Sequence, residues 1–435
     1  EYDFQAPFGQ YGEASPVANY LRPFHLFLKS YGQQLASMDV RPPEKGQVAS
    51  GDLKSLRWSV RAAGNSGFVF VNNHVRQYEP AEHPDTKFEI KLPGGTITMP
   101  STGFTVARGA YFIWPFGMDL GGQALDWASA QPVTKLTTSE GPLHVFHATA
   151  GITPEFAFVA GTQVRGAAVS SRDGRVIATV AKPGTNSLLT VTRPGAPTVR
   201  ILVLTQDQAR QAWVSNIGGS PHIVLTPQEV TQTSDKAIRF ASTGASTFGF
   251  STWPALPGGA TASLPMRKAG SDGLFTRYTV TAPSRTITAT IKQVREPGTA
   301  KPVRIGGLAN APAQPWPEDW SASTGVWEIS VPKGALTGVA DAFLDIDWIG
   351  DIGRLYAGDD LIDDQYFAGR KWRVGLRHFA DRLDQPLSLR VSPWRGDSPV
   401  YMNPELRPKV AADRQVAEVR SVKVQPRYGF TITMP

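Results

Sequence analysis

The densest group of side chains able to do chemistry is a set of aspartates, Asp345, Asp347, Asp351, Asp359, Asp360, Asp363 and Asp364. Paired carboxylates are what acid/base cleavage of a glycosidic bond uses, and oxygen ligands at two-residue spacing also suit Ca²⁺, although the loop pattern of an EF-hand is missing. Leu344-Asp345-Ile346-Asp347-Trp348 alternates, and Gly358-Asp359-Asp360 reads as a turn before Leu361-Ile362. Most of these acids are therefore expected on the solvent side of a hairpin. His144 and His147 are the closest pair among the seven histidines, and in a strand that spacing turns them to opposite faces, which argues against a shared metal. Asn72-Asn73-His74-Val75-Arg76-Gln77-Tyr78 and Tyr111-Phe112-Ile113-Trp114-Pro115-Phe116 mix flat rings with amides and guanidinium, a combination that suits sugars and equally suits core packing. There is no GxSxG, no HExxH and no cysteine, and the Gly-Gly pairs do not extend into a phosphate-cradling loop. No cofactor is expected.

The elements that must carry these groups are mostly strands. Lys87-Phe88-Glu89-Ile90-Lys91-Leu92, Pro93-Gly94-Gly95 and Thr96-Ile97-Thr98-Met99 form a hairpin by pattern, with further strands expected at 67–71, 200–204, 286–292, 387–391 and 418–425. One helix stands out. Val17, Leu21, Phe24, Leu28 and Tyr31 are spaced 4, 3, 4 and 3, between Ser15-Pro16 and Gly32. Ser15 is the expected N-cap, Pro16 fits the first helical position because it needs no donor, and Gly32 suits the left-handed C-terminal position. That apolar stripe needs a surface to cover it. The opening Glu1-Tyr2-Asp3-Phe4-Gln5-Ala6-Pro7 has neither an initiator Met nor a signal-like segment, so a missing upstream portion is the expected partner.

Composition sets the outer limits. The chain has 435 residues, and glycine and proline make up about 18% of it against roughly 12% on average, which marks a turn-rich protein. Hydrophobic residues at 41% supply a core and exclude wholesale disorder. No stretch approaches the ~18 apolar residues of a spanning helix, so no membrane partner is expected. The net charge is +7, but lysines and arginines are scattered singly, which disfavours nucleic acid as a partner.

Several blocks in order resemble the bacterial members of glycoside hydrolase family 35, the β-galactosidases. Tyr2-Asp3-Phe4-Gln5-Ala6-Pro7 followed by Gly12-Glu13 looks like that family's Tyr-Asp-Tyr-Asp-Ala-Pro segment at the end of the last barrel strand, with the Ser15–Gly32 helix as the final barrel helix. Gly67 to Arg76, Phe88-Glu89-Ile90, Trp114-Pro115-Phe116, Asp119-Leu120 and Ala128 to Pro132 are similar to the first β-domain after the barrel. Leu344 to Asp351, Tyr356 and Trp372 to Arg377 resemble the C-terminal jelly-roll, sugar-binding-like module.

The resemblance implies a (β/α)8 barrel with two glutamates, acid/base and nucleophile, roughly 5–5.5 Å apart and acting with retention through a galactosyl-enzyme. Both glutamates fall upstream of Glu1, so no catalytic residue is assigned within this chain. Tyr2, Asp3 and Phe4 are the expected substrate-binding residues. Phe4 stands where the family has a second Tyr, which removes the phenol's hydrogen bond and keeps the flat face. The implied fold is mainly β, several β-sandwich or jelly-roll domains preceded by the last strand and helix of a TIM barrel. The divisions are 1–40 for the barrel end, 41–135 for the first β-domain, 136–265 for a β-sandwich and 266–435 for the jelly roll. The implied function is the C-terminal part of an exo-acting retaining β-galactosidase, inactive alone, with a galactoside or oligosaccharide substrate, the upstream barrel as partner and a periplasmic or secreted address. A non-catalytic carbohydrate-binding or accessory protein of several sandwiches is the rival reading. A self-sufficient hydrolase using Asp347 and Asp351 is a third.

Overall fold

The computed structural model describes residues 6–308 and 311–435, and strands dominate them. Two units separate. One comprises Glu1–Arg239, Gly249–Val280 and Ile432–Pro435, the other Phe240–Phe248 and Thr281–Thr431. The expected joint at 135/136 falls inside strand Ala130–Thr138, and that at 40/41 inside strand Asp39–Arg41. No barrel is present among the described residues.

In the first unit an eight-stranded antiparallel sheet runs in the order Asp39–Arg41, Arg57–Ala63, Ser66–Asn72, Tyr111–Asp119, Ala124–Ala128, Glu155–Val159, Arg175–Thr179, Ala168–Arg172. Strand Tyr111–Asp119 is apolar on both sides because both sides are covered. Phe112, Trp114 and Phe116 enter one core with Phe88 and Met99 of the expected hairpin, while Ile113 and Met118 enter a second core on the opposite face. The hairpin itself, His83–Leu92 and Gly95–Val106, buries Phe88 and Ile90 and exposes Lys87, Glu89 and Lys91, as period two requires. Strand Val199–Leu204, which pairs in parallel with Gly141–Ala148, is buried at all six positions because Val199, Ile201 and Val203 enter one core and Leu202 and Leu204 another.

The helix spans Pro16–Ala36, with Pro16 in its first turn. Its details depart from the sequence expectation. The Ser15 hydroxyl caps nothing and donates instead to the carbonyl of Ala6 at 2.7 Å. The helix runs on through Gly32, because Gln33, Gln34, Leu35 and Ala36 are good helix formers and Leu35 adds a further buried contact. That burial outweighs the ~1 kcal/mol cost of an internal glycine. The buried stripe is Pro23, Phe27, Tyr31 and Leu35. It sits on this chain's own sheets: Phe27 meets Phe68 edge-on at 5.2 Å, in a core shared with Phe146 and Phe156. Of the expected stripe only Tyr31 is buried; Val17 and Leu21 are partly covered, and Phe24 and Leu28 remain exposed with Tyr20. Residues 20–28 are apolar on nearly every side, so the pattern admitted two stripes and packing against Phe68 selected one.

The second unit contains a sandwich. One sheet orders Thr290–Arg295, Gly325–Ser330, Leu387–Val391, Ile352–Ala357 and Asp360–Tyr366, so the strand expected at 286–292 begins four residues later. The facing strands include Asp341–Ile349, between Trp372–Gly375 and the long Glu418–Thr433. The two layers approach closely at Gly353, where a Cβ would lie 2.9 Å from Trp372 and 3.2 Å from Trp348, so a side chain there would push the layers apart.

Candidate functional site

Tyr2, Asp3 and Phe4 lie outside the described residues. The acidic set does not form one hairpin. Asp345 and Asp347 lie on strand Asp341–Ile349 of one layer, Asp360, Asp363 and Asp364 on a strand of the other, and the turn at Gly358 joins Ile352–Ala357 to Asp360–Tyr366. Several are engaged structurally. Asp345 is buried and takes a bidentate pair from Arg373 at 2.7 and 2.8 Å. Asp363, also buried, accepts from the Trp372 indole at 2.9 Å, and Asp360 accepts from Arg382 at 2.9 Å. Desolvation pushes the Asp351 carboxyl up to about 6. Among the described residues no cluster of His, Asp or Glu could hold a metal ion.

The mixed aromatic and amide segments also divide. Trp114 is fully buried, its indole donating to Thr149 at 3.1 Å, and Asn73 is buried with its amide clamped to the carbonyls of Ala81 and Ala107. Both serve packing. Asn72 is exposed and accepts from the backbone N–H of His74, and Arg76 is exposed as well. Tyr111, the first residue of the second segment, is 45% exposed and lines a cleft.

That cleft, of about 520 Å³, opens between the helix and the ends of three inner strands of the eight-stranded sheet, Arg57–Ala63, Ser66–Asn72 and Tyr111–Asp119. Tyr20 and Phe24 form one wall, Trp58 and Tyr111 the other, with Gln131 and His147 also lining it. The Gln131 side-chain oxygen Oε1 accepts from the backbone N–H of Ile113 at 3.1 Å. His147 Nδ1 lies 2.8 Å from the carbonyl of Ala148, which can only accept, so Nδ1 carries the proton and Nε2 is left as an acceptor. Arg57 also lines the cleft; its Nη2 donates to the carbonyl of Asp52 at 2.5 Å, and its buried Nη1 has no partner among the described residues. The cleft is thus walled by apolar rings, with the His147 Nε2 lone pair as an acceptor in its lining. None of its described lining residues is a carboxylate, so it lacks the acid/base pair of glycoside cleavage.

His144 turns the other way, as strand geometry requires. Its Nε2 lies 2.9 Å from the carbonyl of Leu120, which fixes Nδ1 as the acceptor for the Tyr31 hydroxyl at 3.2 Å and ties helix to sheet. Burial pushes the Tyr31 phenol up and holds both imidazoles down at about 4. An imidazole with a folded pKa below its unfolded value stabilises the fold fully above pH 6.5, and loses that contribution as the pH falls towards 4. Each is worth roughly 3 kcal/mol by the 1.36 kcal/mol-per-unit relation. Asp351 has the opposite sign: its contribution is present below pH 3.8 and lost as the pH rises through 6. The urea midpoint of the first unit is therefore expected to fall between pH 7 and 5, and to fall less in His147→Gln. A midpoint equally steep in the variant contradicts a neutral buried His147.

No protein-family model matches the sequence, and no curated protein matches it. The cleft residues Tyr20, Arg57 and Gln131 carried no signal in the sequence, because they come from a helix and two strands far apart in the chain. Tyr111 was visible as the polar end of an aromatic run.

Proposed function

We propose that this chain is the β-rich C-terminal part of an exo-acting retaining β-galactosidase, with its two catalytic glutamates on a (β/α)8 barrel upstream of Glu1. The ordered blocks that resemble family 35 enzymes support this reading, as does the run of antiparallel sheets ending in a sandwich. The observation that carries it is the second apolar stripe of the helix. Pro23, Phe27, Tyr31 and Leu35 are consumed by the chain's own sheets, while Tyr20, Phe24 and Leu28 face solvent at 50, 38 and 36% exposure. A helix that is apolar on two sides is built to lie between two bodies. The terminal helix of a barrel packed on the following β-domain has that position.

The test is to co-express the chain with the barrel-encoding segment and recover the pair, then repeat with Phe24→Asp and Leu28→Asp. Both sites are solvent-facing, so the variant chain keeps its own fold. Recovery of the barrel with the wild-type chain, and its loss with the variant, is the expected outcome. Equal recovery by both contradicts the second face as the seat, and no recovery by either contradicts the reading.

A further inference from the structure

The outer face of the sheet carrying Ile352–Ala357 and Leu387–Val391 holds an arrangement that neither folding nor the proposed hydrolysis requires. Arg354 and Arg390 lie directly opposite each other in the antiparallel register. Like charges so placed repel, and neither forms an ion pair among the described residues. Asp364 is the cross-strand partner of Arg354 on the other side, yet no carboxylate oxygen comes within 4.0 Å of the guanidinium. The Arg354 Nε is buried without a hydrogen-bond partner among the described residues.

Each guanidinium instead lies over an aromatic ring. Arg390 lies 4.1 Å from the Tyr356 centroid, Arg354 4.4 Å from Trp320, and the nearby Arg304 4.0 Å from Trp316. Gln314 joins them: its backbone carbonyl accepts from Arg304, its side-chain oxygen from Arg354 at 3.4 Å, and its amide donates to the Tyr366 hydroxyl. Trp316 and Tyr366 are each 56% exposed. The rings hold the guanidinium groups in place; the Arg390 N–H groups and the Arg354 Nη1 group, which take no protein partner among the described residues, are left for an oxyanion, while the two exposed rings offer flat faces.

We propose that this face binds an oligosaccharide bearing carboxylates, a uronate-containing glycan, with sugar rings on Trp316 and Tyr366 and carboxylates at Arg354 and Arg390. The patch is short and has acidic residues at its margin: Asp364 opposite Arg354, and Glu328 opposite Ser388, the neighbour of Arg390 on that face. Those carboxylates repel phosphate and carboxylate alike; what favours a uronate is the pairing of guanidinium forks with exposed rings, since the fork takes a planar carboxylate in two bonds and each sugar brings an apolar ring face for Trp316 or Tyr366. The inference is independent of the galactosidase reading.

Calorimetric titration of the full chain with a galacturonate hexamer, a neutral galactan hexamer and a thymidylate hexamer tests it. The expected result is binding of the galacturonate alone, weakened by added salt, with about tenfold loss in Arg390→Ala and in Trp316→Ala. Arg390→Lys keeps the charge but not the fork, and is expected to restore little. Tighter binding of the neutral glycan or of DNA overturns the proposal. So does galacturonate binding that survives both alanine substitutions, or no galacturonate binding by a chain whose circular dichroism shows it folded.

Discussion

Phe27→Ala is expected to destabilise the first unit by about 3–5 kcal/mol in urea or thermal unfolding, the range for emptying a large buried aromatic site. Phe27 has no solvent exposure and touches Phe68 at 5.2 Å and Tyr31 at 5.6 Å. The hole would sit between helix and sheet, where neither rigid element can collapse to fill it. Phe24, one turn away and 38% exposed, sets the control: Phe24→Ala is expected to cost no more than about 1 kcal/mol. The sequence pattern alone ranks the two the other way, so this comparison decides which side of the helix is the inner one. Equal losses at both positions contradict the packing described above.

Asp345→Ala is the second large effect, expected in the sandwich unit. Asp345 and Arg373 are cross-strand partners, and the carboxylate is 8% exposed beneath a bidentate guanidinium. Removing one partner of a buried pair costs about 3–5 kcal/mol because the other charge is stranded. Here the Arg373 side chain keeps 34% of its exposure, so water recovers part of its solvation and the expected loss is nearer 2–3 kcal/mol. The double replacement Asp345→Leu with Arg373→Met is expected to recover most of it. A single Asp345→Ala variant as stable as wild type in chemical denaturation contradicts a structural role for this pair.

The strands were the most legible part of the chain. Leu387–Val391 and the 87–99 part of the hairpin that spans His83–Leu92 and Gly95–Val106 were visible from alternation and the turn residues, because one face of each meets a core and the other meets water. The helix was visible as an element but not in its orientation, since Tyr20 to Leu28 offers apolar groups on almost every side and tertiary contact with Phe68 made the choice. Gly32 misled as a terminator because Leu35, beyond it, had a core to enter. The aspartates clustered in sequence and separated in space: a chain that crosses from one sheet to the other at residues 349–352 distributes neighbours between layers. The cleft and the guanidinium–aromatic face were not legible, because each is assembled from strands whose adjacency is a property of topology rather than spacing. Asn72, Phe24, His147 and the Tyr111-Phe112-Ile113 run were each visible as residues but not as neighbours, and Asn73 proved to be a backbone clamp.

The decisive measurement is proton NMR of an aryl β-D-galactoside incubated with this chain alone and with the chain joined to the upstream barrel proposed for it. No turnover by the chain alone, and release of β-galactose as the first-formed anomer by the joined protein, is the expected result. Hydrolysis by the chain alone, or a joined protein that leaves the galactoside intact, would contradict the placement of the chemistry upstream of Glu1.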